Sequence, residues 1–215
     1  MKTFVVLFIL SISFSLGAQE KSERVAVKSG QIRYELTGST KGTKTIWWDN
    51  YGDKSYEEIK STSEIKMFGM VNKEEVHTVT IMIGDKFWSA NLLDNTGQKG
   101  TMPYYDAAQE IAEEMSDAEA KQLEQQLMDA LGGEKLGSET FLNRKCEVMK
   151  LLGAKAWVYK GMLLKTEAKI MGIEANEIAT LFKENISVPA SKFEPLSTIN
   201  YEEVAQMQEG MFYTN

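Results

Sequence analysis

"EEVHTVTIMIGDKFWSANLLD", residues 74–94, decides how this chain folds. Gly84-Asp85 lies near its centre, and glycine enters positive φ at little cost, so the dipeptide suits a two-residue hairpin turn. Pairing outward from that turn sets Ile83 opposite Lys86, Ile81 opposite Trp88, Val79 opposite Ala90 and His77 opposite Leu92. Side chains alternate along a strand. Val79, Ile81, Ile83, Trp88, Ala90 and Leu92 therefore share one face, and Thr78, Thr80, Ser89 and Asn91 take the other, with Met82 and Phe87 near the turn. One apolar and one polar face is the pattern of an antiparallel sheet that is half solvated.

A second hairpin follows from "KAWVYKGMLLKTEAKI", residues 155–170, with its turn at Lys160-Gly161. That turn predicts Tyr159 beside Met162 and Trp157 beside Leu164, with Ala156, Val158, Leu163 and Lys165 on the opposite face. Further strand patterns are "GQIRYELTG" (30–38), "TKTIWWDN" (43–50), "KSYEEIKS" (54–61), "EKLGSETFLNRKCEVMKLLG" (134–153) and "EANEIATLFKENI" (174–186). Between the two halves the period changes. Apolar or small residues at 104, 108, 111 and 115, and again at 120, 123, 127 and 131, predict two helices. Ser116 with Glu119 forms a capping box that starts the second, and Gly132-Gly133 stops it. Near the C-terminus, an extended Pro-bearing stretch "SVPASKFEPLS" (187–197) leads to Asn200, which with Glu203 predicts a short helix carrying Tyr201, Val204 and Met207. Strands, then helices, then strands is an α+β order built on a long antiparallel sheet.

Residues 1–18, "MKTFVVLFILSISFSLGA", carry one early charge on Lys2, an apolar run from Phe4 to Leu16 and small residues at Gly17 and Ala18. This is the pattern of a secretory signal peptide cleaved before Gln19, which places the mature protein in the periplasm or outside the cell. The run falls short of the ~20 residues that span a bilayer. Residues 19–215 then form a single domain with no transmembrane segment. With 24 basic against 31 acidic side chains, a net charge of −7, the surface repels nucleic acid.

The chain offers little for catalysis. One histidine, His77, and one cysteine, Cys146, cannot build a zinc site, and no G-x-S-x-G elbow is present. Cys146 reads as a small buried hydrophobe on one side of a strand with Leu142 and Val148. "DNYGD" (49–53) and "DNTGQ" (94–98) read as β-turns and lack the ligand ladder of a calcium loop. No cofactor and no enzyme activity are expected. The apolar residues stand out instead: all four tryptophans fall on predicted strands, and methionine is abundant at twelve, a residue suited to variable apolar partners.

"GSETFLNRKCEVMKLLGAKAWVYKGMLLKTEAKIMG" (137–172), followed by "ISVPASKFEPL" (186–196), resembles an exported bacterial domain family of unknown function. That family is similar in turn to the periplasmic lipoprotein carrier LolA. The shared pattern is a Thr-Phe-Leu turn, a Cys two residues before Val, a Trp-x-Tyr-Lys-Gly hairpin and a closing Val-Pro…Phe…Pro. Asn143 replaces the usual Gly after Phe-Leu, which Asn tolerates because it takes left-handed dihedrals. Leu163 replaces a common Pro, and no residue matches the carrier's functional arginine. The resemblance implies an incomplete antiparallel β-barrel around a hydrophobic cavity, lidded by the central helices.

The resulting expectation is an exported, non-catalytic protein that holds a lipid, acyl chain or lipidated ligand between sheet and helices. Its lining would be Val79, Ile81, Ile83, Trp88, Trp157, Tyr159, Met162 and Leu164, with Ile111, Met115, Leu123 and Leu127 from the lid. The alternative is a cell-envelope scaffold or protein-interaction module with a fully packed core.

Overall fold

The computed structural model describes residues 24–67, 70–102, 105–170 and 173–204. The expected leader at 1–18, and Met207 of the expected C-terminal helix, lie outside the described residues. Six strands come first: β1 Gly30–Gly38, β2 Thr40–Asp49, β3 Lys54–Met67, β4 Met70–Ile83, β5 Lys86–Asn91 and β6 Thr96–Thr101. Helices α1 Tyr105–Glu114 and α2 Asp117–Ala130 follow, then β7 Glu134–Phe141, β8 Arg144–Leu151, β9 Ala154–Tyr159, β10 Met162–Ile170, β11 Ile173–Glu184 and β12 Asn200–Glu203. The strands make one large, strongly curved, open sheet in the order β12-β6-β5-β4-β3-β2-β1-β11-β10-β9-β8-β7.

This order consists of two antiparallel meanders, β1–β6 and β7–β11, joined where β11 pairs with β1 along its whole length. The opening hairpin has the register its turn dictates: Ile83 faces Lys86, Ile81 faces Trp88 and Val79 faces Ala90. Beyond the last ladder pair, the Leu92 amide donates to the His77 carbonyl at 2.8 Å. The second hairpin keeps Tyr159 opposite Met162, with Lys160 and Gly161 both at positive φ (48° and 75°). One residue further on, a bulge changes the expected pairing. Trp157 pairs with Lys165, and Leu164 is the extra residue that has no partner of its own. Leu164 is still fully buried in the same apolar cluster as Trp157, and the Lys165 ammonium lies 4.2 Å from the Trp157 ring. At Leu142-Asn143 both φ angles are positive (46° and 58°), so Leu142 belongs to a turn rather than to the strand of Cys146 and Val148.

Two tryptophans adjacent in sequence divide the core. Trp48 points to one face of the sheet, where it stacks on Phe182 with 5.9 Å between ring centroids and clusters with Ile32, Tyr34 and Leu164. Gly30 makes this possible, because a Cβ there would lie 2.3 Å from the Trp48 ring. Trp47 points to the other face and packs on Tyr56, Val79, Ile81 and Phe193.

The C-terminal helix expected from Asn200 is instead strand β12, parallel to β6 from Asn200↔Thr96 to Glu203↔Lys99. Pairing with an open edge outweighs the local capping signal, and the Tyr201 ring fits against Gly97, where no side chain intervenes. Helix α2 begins with the expected box: the Ser116 hydroxyl accepts from the Glu119 amide, and Glu119 accepts from the Ser116 amide at 2.8 Å. Neither helix packs broadly on a strand. They are held at their margins, by Tyr105 donating to Asp53 at 3.2 Å, by the Lys135–Glu124 pair at 2.8 Å and by the buried Met128. Among the described residues, neither helix forms the broad lid expected from the sequence.

Candidate functional site

The face that carries Trp47 is built row by row, because residues directly paired across antiparallel strands project to the same side. Trp47, Tyr56, Ile81 and Trp88 form one row across β2, β3, β4 and β5. Thr45, Glu58, Val79 and Ala90 form the next, and Thr43, Lys60 and His77 the one after. The last is Lys41, Thr62 and Glu75. The face thus changes from aromatic and aliphatic to polar over a few residues of strand.

The apolar rows are covered by residues 186–199, which contain a 3-10 turn at Ala190–Phe193. Phe193 is buried against the face of β3 and β4, with Val188 and Leu196 packed in the same cluster. The Lys192 ammonium lies over the rings of Tyr56 (4.7 Å) and Trp47 (5.6 Å). Among the described residues, this segment donates no backbone hydrogen bond to the strands it covers. Two of its bonds are internal, from Lys192 N to Pro189 O and from Ile199 N to Leu196 O, and a third runs from Leu196 N to the Tyr201 hydroxyl on β12. It is tied at both ends, where the Ser29 hydroxyl donates to the Ile186 carbonyl at 2.6 Å and where Ile199 leads directly into β12, paired with β6.

At the boundary, Glu58 accepts from His77 Nε2 at 3.0 Å and from the Tyr56 hydroxyl at 3.1 Å. The His77 hydrogen bond, then that of Tyr56, holds the Glu58 carboxyl below its ordinary value of 4.5. Burial, with the Glu58 charge beside it, pushes the Tyr56 phenol well up. The stability Glu58 contributes is thus present above the ordinary carboxylate range and is lost as pH falls through its lowered folded value. A carbon-detected NMR titration is expected to place the Glu58 midpoint below that of exposed glutamates, and His77→Ala to move it back up. An unshifted midpoint in the wild type would contradict this geometry. Past the boundary, Lys41, Thr43, Lys60, Thr62, Glu75, His77 and Leu93 line an open groove of about 410 Å³.

Of the residues expected to line a cavity, Val79, Ile81, Ile83 and Trp88 come together here. Trp157, Tyr159, Met162 and Leu164 come together in the Trp48 cluster. The two hairpins do not share a lining. Ile111 is 60% and Leu123 39% exposed, while Met115, between the two helices, and Leu127 on α2 are half-buried, and neither helix reaches either cluster broadly. Phe193, Val188 and Leu196 were not among the expected lining residues. The sequence showed only an extended segment between Pro189 and Pro195, with nothing local to say which strands it crosses.

The Trp48 face carries its own polar group. Lys44 is buried, 3.1 Å from Glu177 and 3.5 Å from Glu57, with its ammonium 5.4 Å from the Tyr34 ring. Burial, the largest single influence, would lower the Lys44 pKa, but the two carboxylates together outweigh it and raise the ammonium above its ordinary value of 10.5. Cys146 lies on the same side, its thiol pushed up by burial and donating to the Arg144 carbonyl at 3.6 Å. Among the described residues no group of three His, Cys, Asp or Glu side chains is placed to hold a metal ion. No described helix is long and apolar enough to cross a membrane.

No protein-family model matches the chain, and no curated protein matches it. An uncharacterized conserved protein from Thermus thermophilus superposes over 86% of this chain and 95% of its own, at 8% identity and a TM-score of 0.52. At that identity the two share a fold. MucB aligns over 86% of this chain and 61% of its own, at 9% identity and a TM-score of 0.47.

Proposed function

We propose that the chain is an exported, non-catalytic binding protein that holds an acyl chain or similar apolar group against the Trp47 face, beneath residues 186–199. One observation supports this reading above others. Four strands present apolar side chains to a cover that, among the described residues, donates no backbone hydrogen bond to them and rests on them through the side chains of Phe193, Val188 and Leu196. Burial of a phenylalanine side chain stabilises by roughly 1.5–3 kcal/mol, and each methylene removed from water by about 0.8. An acyl chain therefore replaces Phe193 at the cost of about two to four methylenes and still gains from the remainder. Association costs of about 4–15 kcal/mol keep the binding reversible, as transfer requires. The resemblance to carriers of the LolA type agrees with such a role, with the 186–199 segment in place of a helical lid.

The full chain, expressed with its N-terminal segment, is expected to copurify with acyl lipid extractable by organic solvent. Its tryptophan fluorescence is expected to be quenched by a bromine-labelled fatty acid. Finding neither would contradict the proposal. A second reading, an envelope scaffold or protein-interaction module with a packed core, is favoured by β7, which ends the sheet and is exposed from Glu134 to Thr140. Absence of lipid and of quenching, together with a binary complex with a purified envelope protein that is lost on mutating β7, would select it.

A further inference from the structure

We propose that the polar groove at the end of the Trp47 face is a head-group subsite, so that one sheet face takes both halves of an anionic amphiphile. The proposal rests on the acyl-binding reading above and adds the chemistry of the ligand's other end.

Three observations carry it. The groove is continuous with the apolar rows. His77 follows Val79 and Ile81 on β4, and Lys60 follows Glu58 and Tyr56 on β3, all with side chains on the same face. From Ile83 to Glu75 this face runs eight residues, or ~26 Å at 3.3 Å per residue, the length scale of a long-chain amphiphile. The groove also has unused donors. Lys41 and Lys60 are exposed and have no carboxylate within ion-pair distance among the described residues, and the Thr43 and Thr62 hydroxyls are likewise without a hydrogen-bond partner there. Finally, its lining is richer in cations than the chain as a whole. Two ammonium groups face one lining carboxylate, Glu75, in a protein of net charge −7. Glu58, two residues from Lys60 on the same face, accepts from His77 and Tyr56 and directs its charge at those donors. A phosphate or carboxylate head placed between Lys41, Lys60 and His77 puts its chain over Val79 and Ile81, where Phe193 now sits.

The test compares the wild-type chain with Lys41→Ala/Lys60→Ala, both exposed positions away from the apolar rows. Binding is measured for oleate, for a lysophosphatidate of the same chain and for the uncharged oleyl alcohol. The double substitution is expected to weaken the two anionic ligands by about five- to tenfold, as loss of two exposed ion pairs implies, and to leave the alcohol unchanged. The head class is whichever anionic ligand loses more. If all three ligands bind and none is affected, or all are affected equally, the head-group subsite is wrong and the acyl reading stands. If none binds the wild type, the acyl reading itself fails. If millimolar inorganic phosphate binds the groove with the same lysine dependence yet leaves oleate and lysophosphatidate affinity untouched, the groove serves a free anion, and the subsite is overturned.

Discussion

Replacing Lys44 with methionine is expected to destabilise the protein by about 3–5 kcal/mol, read as a fall in the urea midpoint at unchanged slope. The loss comes less from the attraction removed than from the carboxylates left behind. Glu177 is 16% and Glu57 32% exposed at the side chain, so the partly solvated Glu57 places the loss toward the lower end of that range. The position matters because Lys44 on β2 reaches Glu57 on β3 and, across β1, Glu177 on β11. It therefore pins the seam between the two meanders. Adding Glu177→Gln to Lys44→Met is expected to recover part of the loss, since a neutral amide needs no counter-charge. The pH dependence has a definite sign. A folded-state pKa raised above 10.5 means that the stabilisation from Lys44 is complete below that value and is lost as pH rises through the higher folded value. A loss under about 1 kcal/mol in Lys44→Met would show that the seam does not depend on this cluster.

Trp48→Ala is expected to cost about 3–5 kcal/mol, with roughly 1 more for the Val27 carbonyl that loses its indole donor. The indole is 2% exposed, donates to Val27 at 2.8 Å and stacks on Phe182 over the bare backbone of Gly30. No smaller side chain fills that space, because the glycine beneath it cannot. Trp47→Ala, one residue away, is expected to cost less than half as much, since Trp47 is only partly buried and lies under a loosely tied segment. Paired thermal or urea unfolding of the two variants checks the assignment of faces. Equal losses would contradict it.

Much of the sheet was legible because the signals that set it are local. Gly84-Asp85 fixes the register of β4 and β5, and alternation then places Val79, Ile81 and Trp88 together. Ser116 and Glu119 start α2 for the same reason, through contacts three residues apart. The errors have a common physical source. The bulge at Leu164 inserts one residue into the ladder with β9, and an insertion of that kind leaves no mark in an alternating sequence. Asn200 and Glu203 carry a helix-capping pattern, and a vacant edge at β6 overrides it. The β1–β11 seam joins segments more than a hundred residues apart, so no sequence window contains it. The site was half legible. The apolar wall on β4 and β5 followed from alternation, but its cover was taken to be the amphipathic helices rather than the Pro-bounded segment around Phe193. An apolar stripe shows that something must be covered; it does not name the cover. The groove residues Lys41, Lys60 and Thr62 gave no signal, because exposed polar residues on a strand look alike until register aligns them across three strands.

The four tryptophans allow the central claim to be tested by location, since Trp47 and Trp88 lie on one face and Trp48 and Trp157 in the opposite cluster. A bromine-labelled fatty acid is titrated into Trp48→Phe/Trp157→Phe, which keeps only the first pair, and into Trp47→Phe/Trp88→Phe, which keeps only the second. Circular dichroism first establishes that both are folded. Saturable quenching in the first variant and little in the second is the predicted result. Quenching confined to the second, or absent from both and from the wild type, would contradict a ligand held on the Trp47 face.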